Sequence, residues 1–161
     1  MVVAPDGSVL VATSATEVGQ GSSGALAQIA AEALGCPVDL IRVVGSDSSR
    51  VADGGSTGAG LTTVMGGNAV RDAAARIRSL MEPVVGGHGL SWKEAVARCF
   101  RSQVGLCAYG WAAPVESGFD LHTGQGEAYP GYSYSACAAE VEVDMETGVT
   151  RVTRLHSAHD L

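Results

Sequence analysis

The stretch Thr16-Glu17-Val18-Gly19-Gln20-Gly21-Ser22-Ser23-Gly24 most constrains how this chain can fold. A short apolar strand precedes it, Ser8 to Thr13. An apolar-periodic helix follows, from about Ser23 to Leu34, with Leu26, Ile29, Ala30, Ala33 and Leu34 recurring on one side. A glycine-rich turn that enters a helix presents N–H groups without intrahelical partners at the positive end of the helix dipole. Such a turn is a ready site for a phosphate. Gly19 and Gly21 free the backbone and let a ligand come close. Gln20, between them, offers one amide acceptor and two donors, suited to the edge of a polar ring or a metal-bound oxygen. The competing reading is a plain strand-to-helix connection with Ser22 as N-cap.

A second stretch has the same character. Ser46 to Thr63 carries Gly54, Gly55, Gly58 and Gly60 among interleaved Ser and Thr, and it too runs into a helix. That helix has apolar positions Val64, Met65, Val70, Ala73, Ala74, Ile77, Leu80 and Met81. As a surface loop the segment needs no ligand. As a functional loop it brings hydroxyl and N–H groups to a phosphate or pterin from the other side. Two such loops, each opening a helix, are more specific together than either alone.

The remaining segments fill out the frame. Pro5-Asp6-Gly7 is a turn between two short strands. Gly35 ends the first helix, Pro37 prevents its continuation, and Leu40 to Val44 is a strand. Pro83 to Gly89 should break the second helix. Ser91-Trp92-Lys93-Glu94 is a capping box before a third helix, with Trp92, Ala95, Val96, Cys99 and Phe100 on one face. Gln103 to Trp111 reads as a strand, and Pro114 to Gly131 as an irregular insert with a second Gly-Gln-Gly at Gly124 to Gly126. Tyr132 to Asp144 alternates as a strand with one buried face, Glu146-Thr147-Gly148 turns, and Val149 to Leu155 returns antiparallel. The strand and helix order predicts an α+β fold: a mixed or antiparallel sheet with helices packed on one face.

Composition narrows the functions. Hydrophobic residues make up 46% of 161 and aromatics only 5%, with 22 glycines, so the core must be built from small side chains. A net charge of −7 excludes an electrostatic nucleic-acid surface. Cys36, Cys99, Cys107 and Cys137 form no CxxC pair, which argues for buried free thiols in a reducing compartment. Neither a signal peptide nor an apolar run long enough to span a membrane is visible, so the expected location is cytoplasmic, with no membrane partner. Glu140, Glu142 and Asp144 read as solvated strand charges. His156 and His159 lack a third ligand, His88 and His122 fall in loops, and Ser22 and Ser23 lack a base.

Taken together, DGSVLVATSATEVGQG, the helix after it, DGGSTGAGLTTVMGGNAV and YSYSACAAEVEVDMETG resemble the molybdenum-binding large subunit of the xanthine oxidase and aldehyde oxidase family. The resemblance implies that the Glu17 to Gly21 loop holds a molybdopterin cofactor carrying molybdenum. Gln20 would touch the ligand by its side chain, and Gly19 and Gly21 by their backbone. Thr57, Gly58, Ala59, Gly60 and Thr62 match the family's second cofactor loop. Many members carry Ser-Arg where this chain has Gly60-Leu61, which removes a cationic contact to the phosphate of a cytosine dinucleotide form.

The family's catalytic glutamate would lie beyond Leu161 and an earlier cofactor segment before Met1, so residues 1–161 read as a partial molybdopterin-binding domain truncated at both ends. No catalytic residue and no direct metal ligand is then assigned to this chain. The implied reaction is hydroxylation of an N-heterocycle, an aldehyde or an aromatic acyl thioester, with water as the oxygen source. The implied partners are the rest of the large subunit, iron–sulfur and flavin subunits or domains, and a small-molecule substrate. Two other classes compete: a small nucleotide- or phosphate-binding module without metal, and a noncatalytic truncated fragment.

Overall fold

The computed structural model describes residues 1–45, 47–58, 60–87, 89–113, 118–129 and 131–160. They form two units, Met1–Pro114 and Val115–Leu161.

The first unit is built on three strands, β1 (Val2–Val3), β2 (Val9–Thr13) and β3 (Ile41–Gly45), in the order β1-β2-β3. β1 pairs antiparallel with β2, and β2 pairs parallel with β3. The sheet is therefore mixed, as the element order predicts. Alternation decides its faces. Val3, Val9 and Val11 are buried, while Val2 and Leu10 are exposed. The register sets Val9 beside Ile41 and Val11 beside Val43 on the same face.

That face carries the helices: α1 (Ser22–Leu34), α2 (Gly67–Val85) and α3 (Trp92–Arg101). The core joins Val3, Val9 and Val11 to Leu26, Ala30 and Leu34 of α1, Val70, Ala74, Ile77 and Met81 of α2, and Ala95, Val96 and Cys99 of α3. Small residues let α1 and α2 approach closely. Ala30 and Ala74 are fully buried, and a Cβ on Gly67 would lie 2.9 Å from Ile29 Cδ1. Large residues such as Leu26 and Ile77 each gain about 1.5–3 kcal/mol from burial.

The helix ends follow local chemistry. Gly35 adopts φ 75°, and its N–H donates to Ala31 O and Glu32 O while Cys36 N–H donates to Ala31 O. This closes α1 as a Schellman motif. Glu94 accepts from Ser91 N–H at 3.0 Å and from Ser91 Oγ at 2.6 Å, the return half of the expected capping box. α2 differs from expectation at both ends. A five-residue π-helical turn, Thr62–Gly66, precedes it, and Val64 is exposed. Pro83 does not break the helix, which runs on to Val85. A proline in the last turn removes a single N–H donor, and Val84 and Val85 pack against the core beyond it. Leu80, read as core-facing, is exposed. His88 lies outside the described residues.

The segment Gln103 to Trp111 is not a strand. It makes one bridge, Val2 to Cys107, and then passes over α2. Gly110 explains the departure: a Cβ there would collide with Ala69 O and come within 2.7 Å of Ala73 N. The four thiols are free, but only Cys99 is fully buried. Cys36 is half-buried, and Cys107 and Cys137 are exposed. Two thiols are therefore not the buried ones that composition predicts.

The second unit is a two-stranded antiparallel ribbon, β4 (Tyr134–Val143) and β5 (Thr150–Asp160), with a bulge at Glu140/Val141. The turn forms where predicted: Asp144 Oδ1 accepts from Glu146 N–H and Thr147 N–H, at 2.8 and 3.0 Å. β5 runs five residues further than the sequence pattern indicates. Every residue of both strands is exposed, so the buried face expected from Cys137, Ala139, Val141 and Val143 is open. Glu140 pairs with Arg154 at 3.3 Å. His156 lies opposite Ala138 and His159 opposite Ser135, so the two imidazoles leave opposite faces of the ribbon. The second Gly-Gln-Gly forms a tight surface turn in which Gly124 N–H donates to Asp120 O at 2.8 Å.

The Gly110 contact is backbone against backbone and cannot be relieved by a rotamer change. Gly110→Ala is expected to destabilise the protein by roughly 1–3 kcal/mol, measured by denaturant unfolding. Gly105→Ala, where a Cβ meets nothing within 4 Å, serves as the neutral control.

Candidate functional site

β2 and β3 are parallel, so the loops that follow them leave the same edge of the sheet. Loops at the carboxyl ends of parallel strands are the usual place for a ligand in such a unit. Here the two loops touch. Thr16 N–H donates to Thr57 Oγ1 at 2.9 Å, across 41 residues of sequence. Gly54 lies so near that a Cβ would strike Ser14 Oγ. A Cβ on Gly45 would lie 2.8 Å from Ala15 O. Glycine at these positions is what lets the loops close on each other.

The first loop is organised by Glu17, a residue the sequence reading gave no role of its own. Its Oε1 accepts from Gly19 N–H at 3.0 Å and Gly21 N–H at 2.9 Å. Its Oε2 accepts from Ser23 N–H at 3.0 Å and Ser22 Oγ at 3.1 Å. These bonds, led by the Ser23 and Gly21 amides, pull the Glu17 carboxyl down to about 2. Gly21, not Ser22, is the N-cap, with φ 79°, and Gly19 has φ 103°. The carboxylate stands where the turn was expected to receive a phosphate. An anion there would meet a fixed negative charge and N–H groups already bonded. The warning in sequence is an acid just ahead of a helix start, where the dipole favours it.

Gln20 is turned onto its own loop. Its Oε1 accepts from Val18 N–H at 2.7 Å, and its Nε2 donates to Thr16 O at 2.8 Å and Ser22 Oγ at 3.2 Å. The resemblance implies a Gln20 side chain directed at a ligand; in this structure both of its donors bond within the loop. Thr57, Thr16, Gln20, Ser22 and Glu17 thus form one continuous network.

In the second loop, Thr57 is half-buried and Gly58 O accepts from Leu61 N–H at 2.9 Å. Gly60 has φ 76°, and Thr62 opens the π-helical turn. Ala59 lies outside the described residues. Gly58 needs neither a positive φ nor extra space: a Cβ there would meet nothing within 4 Å. The structure therefore brings Gly19, Gln20, Gly21 and Thr57 into one bonded cluster, with Gly58, Gly60 and Thr62 continuing from it.

Two clefts are described along α2. One, of about 660 Å³, is lined by Ala33, Asn68, Arg71, Asp72, Ala75 and Arg78. The other, of about 460 Å³, includes Arg76, Leu80, Tyr109 and Trp111. Neither is lined by Gly19 to Ser22 or Thr57 to Thr62. No helix among the described residues is long and apolar enough to cross a membrane.

The whole chain, residues 1–161, matches the family described as the molybdopterin cofactor-binding domain. The chain belongs to that family. It is 37% identical over 144 residues to xanthine dehydrogenase 1 of Arabidopsis thaliana, covering 89% of this chain and 11% of that protein. It is 29% identical over 150 residues to aldehyde oxidase 4 of Cavia porcellus, covering 92% and 11%. The aldehyde oxidoreductase structure from Desulfovibrio desulfuricans superposes with TM-score 0.71 at 28% identity, over 98% of this chain and 17% of that one. A Cu,Mo-CO dehydrogenase structure shares the fold with TM-score 0.72 at 22% identity, over 98% and 22%. The chain thus spans about a tenth of the length of the curated relatives it matches.

The residues fit a bulky, polar cofactor in part. Thr57 Oγ1 accepts a bond and keeps its own hydrogen to donate. Gly19, Gly21, Gly58 and Gly60 leave open space where side chains would stand. The turn at the start of α1 does not fit a phosphate, because Glu17 fills it.

The Glu17 carboxyl titrates near 4.5 when free and near 2 in the fold. A lowered value means that the stability these bonds contribute is fully present above pH about 4.5 and is lost as pH falls through about 2, where the carboxylate itself protonates in the fold. Carboxyl and amide shifts of Glu17, Gly19, Gly21 and Ser23 followed by NMR should turn over near pH 2. A midpoint near 4.5 would contradict the network.

Proposed function

We propose that this chain forms part of a molybdenum hydroxylase and holds molybdopterin between its two glycine-rich loops. The observation that carries this reading is the 2.9 Å bond from Thr16 N–H to Thr57 Oγ1, which joins both loops at one edge of the sheet. Membership of the molybdopterin cofactor-binding family gives the ligand its identity. Gln20 would meet the cofactor by its side chain on giving up bonds to Val18, Thr16 or Ser22, and Gly19 and Gly21 would meet it by their backbone. Thr57, Gly58, Gly60 and Thr62 would approach from the second loop, with Ala59 between them.

When bound, the cofactor supplies two-electron chemistry at molybdenum, by which a carbon of the substrate is hydroxylated with oxygen from water. The residues of this chain hold and orient it. Glu17 keeps the start of α1 closed to phosphate. Any phosphate or cytosine dinucleotide part is therefore read as lying toward the second loop, which has hydroxyls but no arginine at Leu61. The same fact disfavours a metal-free phosphate-binding module, which would need those N–H groups free.

The substrate class read from the family is an N-heterocycle, an aldehyde or an aromatic acyl thioester. The chain is read as one portion of a longer cytoplasmic subunit served by iron–sulfur and flavin parts. Its small share of its relatives' length and the open apolar positions Val141, Val143, Val152 and Leu155 on the ribbon support that reading.

Gln20→Ala and Thr57→Val in the full-length protein test the assignment. Each is expected to lower cofactor retention roughly 10-fold or more, as loss of a supporting contact does at metal sites. Molybdenum analysis and pterin extraction from protein purified from its native host give the readout. Thermal unfolding should stay near wild type, because both side chains sit in loops. Wild-type protein devoid of pterin, or variants that retain it fully, would sink the reading.

A further inference from the structure

We propose that Glu17 is a positioning residue for the cofactor: it sets the shape of the first loop before any ligand arrives. This rests on the cofactor reading above and assigns a role within it that the glycines and Gln20 do not fill.

The argument starts from how little else shapes this loop. Residues 16 to 21 are exposed, so no core packing holds them. Gly19 and Gly21 have no side chains and would wander in isolation. Four donors between Gly19 and Ser23 converge on one carboxylate. Both positive-φ glycines are pinned by the same oxygen, Glu17 Oε1. Ser22, the one buried polar residue among the described residues, bonds Glu17 by its hydroxyl and also accepts from Gln20 Nε2. Glu17 therefore reaches Gln20 through Ser22, while Gln20 reaches Thr57 through Thr16. A loop ordered in advance spares the ligand the cost of ordering it.

The charge matters as well as the shape. A glutamine at this position keeps one acceptor oxygen and turns the other into an N–H₂ donor. That donor would face Ser23 N–H and Ser22 Oγ, or Gly19 N–H and Gly21 N–H if the amide is reversed. At least one backbone N–H loses its acceptor either way, Ser23 in the first case and both glycines in the second, along with the favourable charge at the start of α1.

Glu17→Gln in the full-length protein tests the role, with Ser22→Ala as a milder second variant that removes one of the four donors. The first readout is amide hydrogen exchange of the cofactor-free protein across residues 16 to 23. The second is molybdenum and pterin content, with the electron paramagnetic resonance signal of the bound metal. Glu17→Gln is expected to speed exchange in this segment alone, to lower cofactor content roughly 10-fold, and to alter the metal signal of what remains. Ser22→Ala should move all three readouts the same way and less. Unchanged exchange overturns the proposal. So does faster exchange accompanied by wild-type cofactor content and a wild-type signal. Wild-type protein without pterin would overturn the proposed function and the positioning role with it. Altered retention in Gln20→Ala alone, with Glu17→Gln normal, would overturn only the latter.

Discussion

The parallel pairing of β2 with β3 is the constraint on which the first unit depends. Parallel strands cannot be joined by a tight turn, so the chain must cross over, and α1 is that crossover. Once α1 lies on one face, that face is the buried one, and Val9, Val11, Ile41 and Val43 are committed to it. The same pairing sends both glycine-rich loops from one edge. An antiparallel β3 would have sent the second loop from the far end of the sheet. The bond between Thr16 and Thr57 is thus a consequence of strand direction before it is one of loop sequence.

At that edge the loops face a conflict of polarity. The start of a helix attracts negative charge, and a ligand with phosphates could supply it. The chain supplies its own instead. Glu17 satisfies the N–H groups of Gly19, Gly21 and Ser23, and Gln20 bonds Val18, Thr16 and Ser22, so the Thr57 hydroxyl hydrogen and the open glycine backbone are what the two loops leave unspent. The site is consequently closer to a fixed hydrogen-bonding template than to an anion trap. In the proposed reading this suits a large heterocycle, whose many polar edges are recognised by direction more than by charge.

Much of this was legible in the residues. β2, α1 and the Gly35 stop follow from alternation, helical spacing and the left-handed preference of glycine. The capping box and the hairpin turn are local chemistry and appear where Ser91, Glu94 and Asp144 predict them. The family resemblance came from the order of motifs; the two loops it singles out touch at one edge of the sheet, but neither described cleft is lined by them. What was not legible depends on contacts distant in sequence or irregular in geometry. Glu17 bonds residues two to six positions on, through a loop with no repeating period. Pro83 stays helical because packing beyond it outweighs one lost donor. Gln103 to Trp111 has strand-like residues, but Gly110 is drawn onto α2 by a fit that no local pattern announces.

The π-helical turn Thr62–Gly66 gives the second loop an angular setting as well as a position. An α-helix advances about 100° per residue, and a π turn inserts one residue without adding a full step to the helix axis. Everything ahead of the turn is therefore rotated about the axis of α2 relative to its buried row of Val70, Ala74, Ile77 and Met81. Loss of a single residue between Thr62 and Gly66 would leave that row seated in the core. It would let the turn close as ordinary α-helix, so that the residues ahead of it return to the angular phase that α-helical counting gives them.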